Sequence, residues 1–123
     1  MNYLLKIVCA ALLLSLGILA HLSAQYIVTY NANTALKLLS VPLDTKSYKA
    51  GDSVTVLSNP SEVIIGNEHG FPGLKFIGWN LCPCGKKTNY MPGDTFIMPD
   101  HNVELYANWE TLAKPGVLYG AEK

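Results

Sequence analysis

Cys82 and Cys84 carry the most distinctive chemistry in this sequence, because two thiols separated by one proline can form a disulfide or bind a soft metal ion. In an oxidising compartment an even pair of cysteines usually forms a disulfide. The two lysines that follow would favour the thiolate and therefore a labile or intermolecular disulfide. His69 or His101 could instead complete a copper(I) or zinc site, although the sequence lacks the second pair of ligands typical of zinc. We predict a disulfide between Cys82 and Cys84, with a redox-active pair and a metal site as alternatives.

Recognisable catalytic motifs are absent from the sequence. No histidine has a nucleophile at a known motif spacing, and no glycine-rich phosphate loop follows a predicted strand. Asp52 and Asp94 each follow a glycine in a predicted turn, and their spacing to Asp100 lacks the close regularity of a calcium loop. The favoured interpretation is a protein that is not an enzyme, with no catalytic residue, no cofactor and no metal ligand.

The first residues of the chain have the layout of a secretory leader. Residues 1–6 supply a short positive start, residues 7–20 form an almost unbroken apolar run, and residues 22–24 end in small side chains. This order is typical of a signal peptide. We predict a signal-peptide helix over residues 1–24 that is cleaved after Ala24, and a protein that is secreted or held in the cell envelope. An uncleaved leader would be its membrane contact.

The charge of the chain is balanced, with nine basic and nine acidic residues. Every basic residue is a lysine, so no arginine is present to bind a phosphate or a guanine edge with two hydrogen bonds. Without a net positive charge, counterion release can contribute little to nucleic-acid binding. We therefore expect a protein or glycan partner and no nucleic acid.

Turn residues alternate with apolar runs of period two from Tyr26 onward, which is typical of strands rather than amphipathic helices. The clearest alternation covers residues 103–109 and predicts a half-buried strand. Residues 59–73 are predicted to form a long loop, and only residues 35–39 and 61–65 could form short helical turns. The predicted strands cover residues 26–30, 54–57, 75–79, 95–98 and 103–109.

One turn-and-strand pattern occurs twice in the sequence. The segments that begin at Tyr48 and Tyr90 share a Gly-Asp pair, a following hydroxyl residue and an apolar alternation. A glycine can adopt the positive φ that a type II turn needs, and an aspartate can cap the neighbouring amides. The predicted turn residues are Gly51, Asp52, Gly93 and Asp94.

Five motifs then follow one another along the chain. They are Val41-Pro42-Leu43-Asp44, Tyr48-x-x-Gly51-Asp52-x-Val54-Thr55-Val56-Leu57, Phe76-x-Gly78-Trp79-Asn80, Tyr90-x-Pro92-Gly93-Asp94-Thr95-Phe96-x-Met98 and Asn102-Val103-x-Leu105-Tyr106-Ala107-x-Trp109. Together, over residues 26–109, they resemble the internalin B-repeat, also called the Listeria–Bacteroides repeat. The resemblance implies a small β-grasp, a ubiquitin-like mixed sheet with little helix.

The leader pattern and the resemblance together divide the chain into the signal peptide at 1–24, a β-grasp repeat domain at 25–110 and a C-terminal tail at 111–123. Aromatic motif residues are large enough to anchor a core, and Gly78 should let another group approach closely. The predicted structural core contains Trp79, Trp109, Phe76 and Tyr106. Tyr106 alternates away from the face of Trp109, so it is either a packing residue of the second face or an exposed contact residue.

The chain departs from the family pattern in three places. It carries a single copy of the repeat, Asn33-Thr34-Ala35 replaces the usual Gly-Gly after the first strand, and the cysteine-containing residues 81–87 replace a polar Asp-Gly-rich loop. Repeats of this family belong to bacterial cell-surface and secreted proteins implicated in adhesion and protein binding. We therefore predict a non-enzymatic interaction or adhesion module that uses sheet edges and the loops 59–73 and 81–90. The alternative is a small extracytoplasmic redox or metal-binding protein that uses Cys82 and Cys84.

Overall fold

A computed structural model describes residues 22–36 and 39–112. Within these ranges the chain forms seven β-strands and no helix. The strands are β1 (Val28–Asn31), β2 (Ser53–Thr55), β3 (Val63–Ile65), β4 (Gly73–Asn80), β5 (Asn89–Tyr90), β6 (Thr95–Ile97) and β7 (Val103–Thr111).

The main sheet combines parallel and antiparallel strands in the order β1-β7-β4-β3. β1 and β7 pair in parallel, with Val28 opposite Val103. β7 also pairs antiparallel with β4, which holds β3 and the short β5 along its other edge. The longest strands, β4 with 8 residues and β7 with 9, therefore form the centre of the sheet. The prediction of a mainly β protein is confirmed.

The repeated sequence pattern forms a second sheet, in which β2 and β6 pair antiparallel. Each strand is preceded by a turn with a glycine at positive φ, 93° at Gly51 and 90° at Gly93. The Gly51 amide donates to the Met98 carbonyl at 2.8 Å, and the Gly93 amide donates to the Val56 carbonyl at 2.9 Å. Each turn therefore closes on the end of the other copy's strand.

The aspartate that follows each glycine caps its own turn. Asp52 Oδ2 accepts a hydrogen bond from the Lys49 amide at 2.9 Å, and Asp94 Oδ2 accepts one from the Met91 amide at 2.8 Å. An aspartate side chain that binds a nearby amide stabilises a local turn. Both carboxylates therefore have a structural partner within their turns.

Trp79 lies at the centre of the hydrophobic core. Its side chain is fully buried, and its ring meets Tyr30 and Phe76 edge-on, with centroid distances of 4.7 Å and 4.9 Å. The indole N–H donates to the Leu57 carbonyl at 2.9 Å, so its polar atom is satisfied. Truncation of a buried ring of this kind costs about 3–5 kcal/mol. The core is completed by Val28, Tyr48, Val54, Val56, Met98, Val103, Leu105 and Ala107.

The other two predicted core aromatics differ from each other. Trp109 is half-buried, packs against the core with its ring 5.8 Å from Phe76, and donates its indole N–H to the Ala32 carbonyl at 2.8 Å. The structure corrects the assignment of Tyr106 to the core, because this half-buried residue lies outside the buried cluster. Strand alternation places Tyr106 on the face opposite Leu105.

Residues 59–73 are not the continuous loop that the sequence predicts. Residues 63–65 form β3, and Ile64 pairs with Leu74 on β4. Residues 61–65, which the sequence allowed to form a short helical turn, therefore contribute a strand instead. The apolar run of this segment suits a strand as well as a helical turn, and its pairing with β4 decides between them.

Some predictions fall outside the described residues. These are the leader up to residue 21, part of the turn at 35–39, and the tail from residue 113. At the other boundary, β7 continues to Thr111 and the Leu112 amide donates to the Gly73 carbonyl at 3.0 Å. The sheet therefore extends past residue 110, where the domain was predicted to end.

Candidate functional site

An open groove, which we call the aromatic groove, lies between β6 and the first half of β7 and encloses about 550 Å³. Binding sites are usually concave and mainly apolar, with a few polar groups that fix orientation. The groove has this composition, since His101, Asn102 and Glu104 supply polar groups. The apolar and aromatic side of the lining is formed by Leu81, Tyr90, Phe96, Ile97, Pro99 and Tyr106.

The rings of the groove are held in place by their strand partners. Tyr90 lies on β5 opposite Trp79, and Phe96 lies on β6 opposite Val54. Both partners are fully buried, so each ring is fixed at the margin of the core. The Tyr90 and Phe96 centroids are 5.3 Å apart, with the ring planes tilted by 36°. The two rings therefore form a preformed aromatic wall.

Glu104 places a carboxylate at this groove. Its Oε1 accepts a hydrogen bond from Asn31 Nδ2 at 2.9 Å, and its Oε2 accepts one from the Tyr106 hydroxyl at 2.8 Å. These hydrogen bonds, first from Asn31 and then from Tyr106, lower the pKa of Glu104 below its ordinary value. The same bond to Glu104 raises the pKa of Tyr106. The carboxylate is therefore ionised, oriented and exposed at neutral pH.

The cysteine loop borders the groove through Leu81. The sulfur atoms of Cys82 and Cys84 lie 2.07 Å apart, as in a disulfide. Cys84 is exposed and Cys82 is half-buried. The Leu81 amide also donates to the Thr88 carbonyl at 3.3 Å, which closes the base of the loop.

Asn80, the last residue of β4, holds the cysteine loop in shape. Its side chain is only 1% exposed. Its Oδ1 accepts hydrogen bonds from the amides of Cys82 at 3.1 Å and Lys87 at 3.2 Å, and its Nδ2 donates to the Lys87 carbonyl at 2.8 Å. Asn80 therefore satisfies three backbone groups of the loop that would otherwise need other partners.

Asn33 ties the other side of the cysteine loop to the sheet. Its Nδ2 donates to the Pro83 carbonyl at 3.0 Å and to the Ala107 carbonyl at 3.1 Å. Asn33 has a φ of 49°, a left-handed conformation that asparagine tolerates better than most residues. This is how the chain forms the turn in which Asn33-Thr34-Ala35 replaces the expected Gly-Gly.

The structure does not assemble the suggested metal ligands. Across residues 22–36 and 39–112, no group of three histidine, cysteine, aspartate or glutamate side chains is positioned to hold a metal ion. His101 lines the aromatic groove, with its Nδ1 3.4 Å from Asp100 Oδ1. His69 lies in an exposed turn beside Glu68. Neither histidine joins the two cysteine sulfurs in a described ligand group.

The aromatic groove brings together residues that sequence reasoning treated separately. Tyr106 was assigned to the core, and Leu81 and Tyr90 marked the ends of a contact loop. Phe96 was noted as part of a strand, but the exposure of Ile97 and the position of Glu104 beside Asn31 were missed. Alternation along β6 could have shown that Ile97 points away from the core. The meeting of Asn31 and Glu104, 73 residues apart, has no local signal.

No protein-family model matches the chain, and no solved structure matches it significantly. Two proteins of Evansella cellulosilytica are similar to it over 86 residues, or 67% of the chain. One, named "Putative membrane protein", is 31% identical, and the other, named "Putative Gly-rich membrane protein", is 34% identical. The matched region covers only 13% and 10% of these two proteins.

The described part of the chain contains no helix with the length and apolar character needed to cross a membrane.

Proposed function

We propose that the chain is an exported, non-enzymatic binding module of the bacterial envelope, and that the aromatic groove is its binding site. The leader pattern at residues 1–24 supports export. The names of the two relatives as membrane proteins are consistent with a place in the envelope. The cap contacts of Asp52 and Asp94 also favour a structural role for these carboxylates.

The strand topology supports a β-grasp domain of the internalin B-repeat type. The first and last strands, β1 and β7, lie side by side in parallel, and β7 has β4 as its antiparallel neighbour on the other side. Parallel pairing of the first and last strands within a small mixed sheet is a feature expected of a β-grasp; here β1 lies at the edge of the sheet and β7 lies inside it. Four of the five sequence motifs contain strands: those at 76–80 and 102–109 lie on β4 and β7 of this sheet, and those at 48–57 and 90–98 contain β2 and β6 of the second sheet. The motif at 41–44 lies outside the strands.

The exposure of apolar side chains in the aromatic groove carries the proposed binding function. Ile97 is 66% exposed although it lies in a strand, and it adjoins the aromatic wall of Tyr90 and Phe96. Apolar residues grouped in a concavity with a polar rim are typical of interaction sites, whereas single exposed apolar residues are common on any surface. Contact with a partner would therefore remove this apolar surface from water, which is favourable.

The test compares Ile97→Ser with Ile65→Ser, a matched control. Ile65 is also an isoleucine of a strand and is 82% exposed, but it lies on β3, outside the groove. The full chain is expressed with its leader in the bacterium that encodes it, and the fraction retained by washed cell envelopes is measured. The proposal expects Ile97→Ser to lower retention at least about fivefold, because it removes apolar contact area, and Ile65→Ser to retain normally. Equal retention of both variants would contradict the groove as the binding site.

A redox function is the second candidate, and the exposed Cys84 of the disulfide favours it. An exposed disulfide is accessible to attack by an external thiolate. Replacing both cysteines with serine separates the two functions. The binding module expects envelope retention to survive this change, whereas a redox function requires thiol–disulfide exchange activity to disappear with it.

A further inference from the structure

The outer edge of β6 is open beside the aromatic groove. The Met98 amide donates to the Asp52 carbonyl at 2.8 Å, and the Val56 amide donates to the Asp94 carbonyl at 2.9 Å. These bonds fix which residues of β6 face β2, because hydrogen-bonded positions alternate in an antiparallel pair. The backbone groups of Thr95 and Ile97 must therefore point away from β2, and β2 is the only strand paired with β6 in the described chain.

An exposed edge of this kind can accept another extended strand. The added strand forms main-chain hydrogen bonds along the edge, and its alternate side chains enter neighbouring pockets. Ile97 belongs both to the open edge and to the groove lining. Pro99, two residues later, has no amide hydrogen to leave unpaired. A strand that pairs with Thr95 and Ile97 would therefore run along the aromatic groove.

The charge of the groove selects the side chain that such a strand would place there. Glu104 contributes a carboxylate whose position is set by Asn31 and Tyr106, and each carboxylate oxygen can accept a further hydrogen bond. The described lining residues include no lysine, and the chain has no arginine. A cationic side chain would therefore meet the Glu104 carboxylate in this lining without repulsion from a described lysine.

The aromatic rings favour the same kind of group. The faces of tyrosine and phenylalanine attract ammonium and guanidinium ions. Tyr90, Phe96 and Tyr106 line the groove together with Glu104. Rings combined with one carboxylate are suited to an organic cation carried on an apolar stem, as in lysine and arginine.

We propose that the aromatic groove binds an extended segment of a partner protein, which pairs with the open edge of β6 and places a lysine or arginine side chain against Glu104. This inference rests on the proposed binding function and specifies the chemistry of the partner. A glycan is less suited, because it cannot pair with the backbone of Thr95 and Ile97 as a β-strand does.

The test uses a blocked pentapeptide with a central lysine flanked by valine and threonine, and an analogue in which norleucine replaces the lysine. Each is titrated into the isotope-labelled full chain, recovered after export, and amide shifts are followed by NMR. The proposal expects shifts at Thr95 and Ile97, and about 3- to 10-fold tighter binding of the lysine peptide. Glu104→Gln should weaken binding of the lysine peptide to the level of the norleucine peptide.

Two further measurements separate charge from strand pairing. Two lysine peptides are N-methylated on alternate residues, so that one loses the amide hydrogens that face β6 and the other loses those that face away. Only the first peptide should lose binding. Equal affinity of the lysine and norleucine peptides, or shifts that avoid β6, would overturn the inference. Chitotetraose that shifts the groove resonances in place of the peptide would overturn it as well. The proposed function would survive these results as long as Ile97→Ser still lost envelope retention, so the two failures are distinguishable.

Discussion

Replacing Asn80 with alanine should destabilise the domain more than any other single polar change at the cysteine loop. The change removes three hydrogen bonds, at 3.1, 3.2 and 2.8 Å, from a side chain that is 1% exposed. Each bond contributes about 0.5–1.5 kcal/mol net, and the abandoned backbone groups also need new partners. We expect a loss of about 2–4 kcal/mol in the free energy of unfolding.

Urea unfolding followed by the fluorescence of Trp79 and Trp109 measures this loss. With a slope of about 1 kcal/mol per molar urea for a domain of this size, the midpoint should fall by about 2–4 M. Asn59→Ala is the matched control, because Asn59 is 3% exposed but accepts one described hydrogen bond, from the Ser61 amide. The control should lose about 1 kcal/mol. A loss for Asn80→Ala no larger than that of Asn59→Ala would refute the role assigned to Asn80.

Three further predictions follow from particular contacts. Gly78→Ala should lower the free energy of unfolding in urea by about 1–3 kcal/mol, because Gly78 has a φ of 132° and Asn89 occupies the site of the new methyl group. In the control Gly51→Ala the new methyl group meets no neighbouring atom within 4 Å, so the loss should be smaller. Burial and the hydrogen bond to Asp44 raise the pKa of Tyr48 from 10.0 to about 12, so the folded domain should lose stability as pH rises from 10 to 12. In unfolding measured against pH, Tyr48→Phe should remove this loss of stability. Replacing both Cys82 and Cys84 with serine should cost no more than about 1.5 kcal/mol, because the bond closes a very short loop, and NMR titration should show unchanged groove binding.

Local patterns predicted much of the fold because strand alternation and turn chemistry depend on neighbouring residues. The alternation of residues 103–109 matches β7, whose Val103, Leu105 and Ala107 are buried. The repeated Gly-Asp pattern matches two turns with the same hydrogen bonds. In both cases the information lies within nine residues or fewer.

Long-range pairing accounts for what sequence reasoning missed. The segment 61–65 was ambiguous because it forms a strand only through its pairing with β4. The strand β5 is only two residues long, too short to show an alternating pattern in the sequence. The groove depends on the parallel pairing of β1 with β7, which brings Asn31 to Glu104. Nothing in the motif distinguishes Asn80 as a buried residue. Its burial depends on the loop that returns to it at Lys87, and this contact is seen only in the folded structure.

Export is a central claim of the account, and the intact mass of the protein made by the organism that encodes it tests this claim most directly. The protein is collected from the culture medium and the envelope without reductant. The account predicts a chain that begins at Gln25 and is lighter than the reduced form by two hydrogens, as the bond between Cys82 and Cys84 requires. A full-length, fully reduced chain found only in the cytoplasm would contradict it.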